Sequence, residues 1–360
     1  MNVLGMMSGT SVDAVDLILV ELEFDPNGRL SWKILEHVES PFPAEVRTQI
    51  IRTLKSQSNT REVALLHHEL GRFYAEAAAP FKGRADLVAS HGQTVWHEPP
   101  LTTFQIGEPA YLAEALGVPA VSDFRPSDFA LGGEAAPLVP LPDLLLYGER
   151  GVNRAIHNIG GISNLTYLPA DLEPARVLAF DTGPGNALLD EAAGRLGLTH
   201  DSGGKIAASG RVDESLVERW ITHPYFSRRP PKSTGREIWN LETLDEDAAL
   251  PPQNLLATLT AFTAHSIVGA YQRFVMPLGL DEIWVAGGGA YNATLMAQIK
   301  AGLSVPVYTF EERGHDSKHR EALCFAVLGY LRYLERPNVL RQVTGARRDA
   351  VAGKITLPSR

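Results

Sequence analysis

The chain has 360 residues, with 33 Lys and Arg against 42 Asp and Glu and a formal net charge of −9. That acidic balance argues against nucleic acid as a main partner, because phosphate backbones attract basic surfaces. Apolar residues at 44% and charged residues at 21% exclude extended disorder, and the length exceeds one ordinary core, so two domains are expected.

The opening residues 3–7 are apolar, residues 8–13 are small or hydroxyl-bearing, and residues 15–20 return to a β-branched pattern. This predicts strand, turn, strand. A further strand is expected over residues 31–39 and an alanine-rich helix over 62–81. Residues 87–89 read as a short buried strand, and residues 110–116 as a helix that Gly117 ends. Gly132-Gly133-Glu134-Ala135-Ala136-Pro137 breaks the pattern and marks the expected domain crossing. The second half repeats the theme. Residues 155–159 run into Gly160-Gly161, and residues 177–180 into the turn Asp181-Thr182-Gly183-Pro184-Gly185-Asn186. Helices are expected at 187–196, 255–276, 292–301 and 320–334, with a strand at 282–286 before the turn Gly287-Gly288-Gly289. Pro337 stops the last helix. Alternating strands and helices indicate an α/β protein with mixed sheets.

Residues 1–7 carry no basic segment and no stretch approaches the roughly 18–20 apolar residues of a membrane span, so a cytoplasmic protein is expected. The single cysteine, Cys324, excludes an intrachain disulfide and sits among apolar neighbours that make it a packing residue.

Three turns of small residues follow apolar strands, at 9–13, 181–186 and 287–289. Such backbones approach a phosphate closely and aim N–H groups at its oxygens. The P-loop and dinucleotide glycine patterns are both missing, as is a serine-hydrolase elbow around residues 8–11. Asp13 and Asp181 lie in these turns. Each reads either as a cap for backbone N–H groups or as a carboxylate for magnesium or a hydroxyl proton. His91 and His97 lack a third ligand at a recognisable spacing. The basic loop 232–236 reads as a solvated loop or as an anion contact.

Taken together, the ordered segments resemble the anhydro-N-acetylmuramic acid kinase family. The matching pieces are residues 5–13, Ser90-His91-Gly92-Gln93-Thr94-Val95-Trp96-His97, Ser122-Asp123-Phe124-Arg125, residues 157–164, 180–186 and 231–237, Ala286-Gly287-Gly288-Gly289, and Glu321-Ala322. The resemblance covers nearly the whole chain. It implies an actin-like, sugar-kinase-like ATPase with two α/β domains of mixed sheets around an interdomain cleft. The first domain is expected at 1–131 plus about 340–360 and the second at 132–339.

It implies ATP and Mg2+ as cofactors and a small amino sugar as substrate. The implied reaction opens anhydro-N-acetylmuramic acid with water and phosphorylates O6 during cell-wall recycling. Asp181 matches the catalytic base. Gly9, Thr10, Ser11, Val12, Asp13, Ala14, Val15, Asp16, Asn158, Gly160, Gly161, Gly183, Gly185, Gly287, Gly288 and Gly289 match ATP-binding positions. Gln93, Thr94, Arg125 and Glu321 match substrate-binding positions. No fixed protein metal site is implied, magnesium arriving with ATP near Asp13. A homodimer is implied, with no membrane and no nucleic acid partner. Ala14 stands where the family usually has Gly, and Lys318 where it tends to carry an acid. The competing readings are a related sugar kinase with another acceptor and an actin-like or chaperone-like ATPase switch.

Overall fold

Strand and helix patterning resolve into two α/β units in the computed structural model, which describes residues 1–9, 12–244 and 250–359. One unit is Met1–Tyr147 with His319–Arg360; the other is Gly148–Lys318. Each has a mixed sheet, as the resemblance implies.

The first unit is built on six strands in the order Lys354–Thr356, Ala120–Ser122, Leu87–Ser90, Asn2–Ser8, Ala14–Phe24, Leu30–Pro41. Asn2–Ser8 runs antiparallel to Ala14–Phe24, with Ser8 opposite Val15, and parallel to Leu87–Ser90. Alternation puts Leu4, Met6, Leu17 and Leu19 in one core with Ile50, Leu66, Leu70 and Phe81. Those partners come from helices Ala44–Leu54 and Thr60–Ala78 and the turn Ala79–Phe81. Asn59 and Glu62 form a capping box that starts the second of these helices. The helix Arg320–Tyr333 also lies against this sheet, buried along nearly its whole length. It approaches so closely at Gly5 that a Cβ there would stand 2.2 Å from the Ala322 carbonyl oxygen.

The second unit has five strands in the order Leu178–Pro184, Ile162–Leu168, Arg154–Ile159, Glu282–Ala286, Val307–Thr309. The first three pair antiparallel and the last two join in parallel. Helix Pro252–Ala270 buries two faces. Ala264 and Ile267 pack in the core that holds Leu165, Phe180 and Val285, whereas Leu255, Leu259 and Phe262 pack with Leu188, Trp220 and Trp239.

The structure differs from expectation at several places. The division falls after Tyr147 and after Lys318, rather than at residues 131 and 339. Helix Pro140–Tyr147, with no place in the sequence reading, joins the first unit, because buried Asp143 takes a bidentate ion pair from buried Arg320, at 3.0 and 2.5 Å. The strand expected to stop at residue 180 continues through Pro184 over a bulge, so Asp181 is a strand residue rather than a turn residue. Strand Ile162–Leu168, helix Ala44–Leu54 and the hairpin Gln93–Glu98 with Thr102–Ile106 are additional. The helix expected over 255–276 ends at Ala270 and passes into a wider turn, Tyr271–Val275. Among the described residues, no helix is long and apolar enough to cross a membrane.

Candidate active-site residues in the two units

In the first unit, the turn after Asn2–Ser8 is fixed from outside. Thr10 and Ser11 lie outside the described residues. The Val12 N–H donates to the Gly9 carbonyl at 3.3 Å, the Phe42 N–H to the Asp13 carbonyl at 3.0 Å, and Arg47 Nε to the Val12 carbonyl at 3.0 Å. Buried Val12 has a φ of 55°, a left-handed conformation that costs a β-branched residue of order 1–3 kcal/mol. The positive angle therefore falls at Val12, while Ala14 begins a regular strand with Val15 and Asp16, opposite Pro41, Ser40 and Glu39. Alanine in place of the family's glycine carries no strain there. The Asp13 carboxylate is exposed and paired with Arg47 at 3.2 Å.

A network joins this strand to the other predicted residues of the unit. Buried Ser8 donates from Oγ to the Gly92 carbonyl at 3.1 Å. That carbonyl also lies 2.9 Å from His91 Nδ1. A carbonyl only accepts, so Nδ1 carries the proton and Nε2 is left to accept from Arg125 Nε at 3.3 Å and from its terminal nitrogen at 3.1 Å. Burial and the adjacent guanidinium hold the His91 pKa down at about 3, so the ring is neutral. Arg125 also donates to the Ala135 carbonyl at 2.6 Å. Burial lowers its pKa to about 10 and the nearby Glu321 carboxylate opposes that fall, so it stays charged at pH 7. Glu321 is in the first turn of Arg320–Tyr333. Gln93 is buried, and its Oε1 has no hydrogen-bond partner among the described residues; Thr94 Oγ1 accepts from Gln105 at 3.2 Å.

In the second unit, three loops converge. The N–H groups of Gly185, Asn186 and Ala187 donate to the carbonyls of Gly161 and Gly160, at 3.0, 2.7 and 3.1 Å. Gly160 donates to the Ile162 carbonyl at 3.2 Å. Gly185 must lack a side chain, since a Cβ would stand 2.3 Å from the Gly160 carbonyl oxygen. The N–H groups of Gly185, Asn186 and Ala187 thus bind the turns to one another. Gly287 has φ 84° and ψ 174°, angles open essentially to glycine, and its missing Cβ leaves room for Asn158 Oδ1. Gly288 and Gly289 follow beside Asn186 and Ile159. Arg236 reaches over Gly161, its guanidinium 3.0 Å from where a Cβ would be.

Asp181 is gripped by the segment 225–234. Its N–H donates to the Lys232 carbonyl at 3.1 Å, its carbonyl accepts from the Tyr225 hydroxyl at 2.6 Å, and its Oδ2 accepts from the Thr234 N–H at 2.9 Å. Lys232 is not a solvated residue. It is 6% exposed, with its ammonium over the Tyr225 ring at 4.5 Å and donating to the Tyr225 carbonyl at 3.2 Å. Among the described residues, no three His, Cys, Asp or Glu side chains group to hold a metal.

The sequence reading missed Arg47, Tyr225 and the hold of Thr234 on Asp181: Arg47 and Tyr225 donate to backbone carbonyls and Thr234 donates its backbone N–H, contacts that carry no residue signature. His91 Nε2 faces a guanidinium.

A family model described as anhydro-N-acetylmuramic acid kinase matches residues 1–358. The chain belongs to this family. A curated anhydro-N-acetylmuramic acid kinase from Bacillus cereus (strain G9842) is 38% identical, over 99% of this chain and 100% of its own length. The one from Bacillus thuringiensis subsp. konkukian (strain 97-27) is 36% identical over the same shares. A distant likeness, with a TM-score of 0.43 at 12% identity, exists to the activator of 2-hydroxyisocaproyl-CoA dehydratase from Clostridium difficile with bound ADPNP, over 93% of this chain and 96% of that one. Membership of the anhydro-N-acetylmuramic acid kinase family makes the chain a phosphotransferase, and the full-length matches favour a kinase over a partner-switching ATPase.

Proposed function

We propose that the chain converts anhydro-N-acetylmuramic acid, water and ATP into N-acetylmuramic acid 6-phosphate and ADP, in the cytoplasm, as a homodimer serving cell-wall recycling. The observation that carries the reading is the grip on Asp181, whose backbone and carboxylate are both fixed by the 225–234 segment. A base held this way is preorganised for its proton. Asp181 takes a proton from the water that attacks C1, the C1–O6 bond breaks, and the freed O6 accepts the γ-phosphoryl group, with ADP leaving. Opening a glycosidic bond with a base-activated water is the logic of inverting glycoside hydrolysis.

Arg125 suits the lactyl carboxylate. The groups that hold it are a neutral imidazole and a carbonyl, so its charge is not cancelled by a hydrogen-bonded acid. Gln93, with its unpartnered buried Oε1, and Thr94 and Glu321 supply polar groups for the sugar. For ATP, the turns at Gly9, Gly160–161 and Gly287–289 provide close backbone, and Arg236 beside Gly161 provides positive charge. Mg2+ would neutralise phosphate charge. Asp13, paired with Arg47, is the carboxylate that would hold it.

Mass spectrometry of the sugar after incubation with Mg-ATP tests the reading. The expected product has gained one water and one phosphoryl group; an unchanged anhydrosugar overturns it. Asp181→Asn keeps an oxygen to accept from Thr234, so it should fold normally by circular dichroism and lose about 10²- to 10⁴-fold in kcat. Near-normal turnover in that variant would remove Asp181 from the base role.

A further inference from the structure

A second feature of the Gly148–Lys318 unit lies against the strand that carries Asp181, and the side chains that line it are given no role in the reaction above. A cavity of about 320 Å³ is bounded by Pro252–Ala270, its Tyr271–Val275 continuation and the segment 221–232, with Thr182 in its wall. This is the lower end of the size range of small-molecule pockets. Its charged lining, among the described residues, is entirely basic: Lys232 and Arg273, with His223 and His265 beside them. Ser266 and Thr182 add hydroxyl groups.

Lys232 is the unusual member. An ammonium has three donors, and here one serves the Tyr225 carbonyl while aromatic rings of Phe180, Tyr225 and Phe274 surround the rest at 5.6, 4.5 and 5.0 Å. A charge so far removed from water normally has a carboxylate in bonding range, because unpaired burial is costly. Here the nearest charged influences include two more cations. Burial, then Arg228 and Arg273, depress the Lys232 pKa to about 8, with Asp181 opposing. His223 accepts the Tyr225 N–H at Nδ1 (3.2 Å), which leaves Nε2 to carry its proton as a donor.

We infer that this cavity binds a small oxyanion, inorganic phosphate or the phosphate group of a small ester, between Lys232 and Arg273. The bound anion supplies the negative charge that no ion pair among the described residues gives the buried ammonium or the exposed guanidinium. Its presence is transmitted to Asp181 through a closed ring of hydrogen bonds. Asp181 N–H donates to the Lys232 carbonyl, Lys232 Nζ to the Tyr225 carbonyl, and the Tyr225 hydroxyl to the Asp181 carbonyl. Tightening Lys232 therefore tightens the strand that holds the carboxylate.

The test is isothermal titration of the full-length protein with inorganic phosphate and, separately, glycerol 3-phosphate, at ionic strength fixed with chloride. Saturable binding is expected, weakened about tenfold or more in Arg273→Gln, since a charge-assisted contact is lost. Arg125→Gln, in the other unit, should leave it unchanged. The ligand with the lower Kd identifies the source of the anion. Arg273 is exposed, so its loss spares the core; Lys232→Met, if circular dichroism shows it folded, should lose binding as well. Absence of saturable binding, or equal affinity in wild type and Arg273→Gln, overturns the proposal. The readout is binding without turnover, so it stands or falls separately from the kinase reading.

Discussion

A neutral imidazole beside an arginine explains how one side chain can be both anchored and available. His91 gives Arg125 two acceptor contacts without giving it a counter-charge. The same arrangement makes stability depend on pH. The His91 pKa is lowered in the folded state, to about 3 from 6.5, so the unfolded chain binds the proton first. The stabilisation is complete above about pH 6.5 and is lost as pH falls towards 3, at up to about 1.4 kcal/mol per pH unit. Urea unfolding at pH 7 and pH 5 should therefore show a drop in the wild type that exceeds the drop in His91→Asn by about 2 kcal/mol. Equal drops would mean that the ring takes up its proton as readily in the folded protein as in the unfolded chain.

At the scale of elements, a tight constraint is the contact between the first strand and the last long helix. Gly5 allows it, with Ala322 and Ala326 on the helix side. Gly5→Ala should destabilise the protein by about 1–3 kcal/mol, the usual cost of overpacking, seen as a lower Tm in thermal denaturation. No change would mean that the helix can withdraw freely. Gly5 also shows what the sequence reveals and what it hides. The apolar run of residues 3–7 announces a strand, but nothing local says that its glycine faces a helix more than 300 residues later in the chain. Period and turn chemistry likewise revealed Ala14–Phe24, Pro109–Leu116 with its left-handed Gly117, and Ala293–Gly302. Strand Ile162–Leu168 escaped because Ser163, Asn164 and Thr166 interrupt its apolar pattern, although Ser163 and Thr166 are buried. Asp181 was legible as a special carboxylate through its glycine-rich neighbours. That it sits in a strand was not, because a bulge carries the strand past the point where the apolar run ends.

For the whole molecule, the expected crossing near residues 132–137 gave way to one after Tyr147, and the reason is electrostatic. Asp143 is fully buried, and its partner Arg320 arrives only after the second unit is complete. Removing one partner of such a pair costs about 3–5 kcal/mol. A fragment of residues 1–147 would have to bury that charge without Arg320, and would also lack the helix Arg320–Tyr333 over its sheet. It should show weak, non-cooperative unfolding by circular dichroism, whereas residues 148–318, continuous in sequence, should unfold cooperatively. A stable 1–147 fragment would contradict this.

The discontinuous first unit also has a consequence for synthesis. On the ribosome, the middle of the chain emerges with its sheet complete, while the N-terminal portion waits for residues 319–356 to supply its central helix and edge strand. The portion made first is thus the last to mature. During that interval its exposed apolar sheet is the surface most open to chaperones and to aggregation.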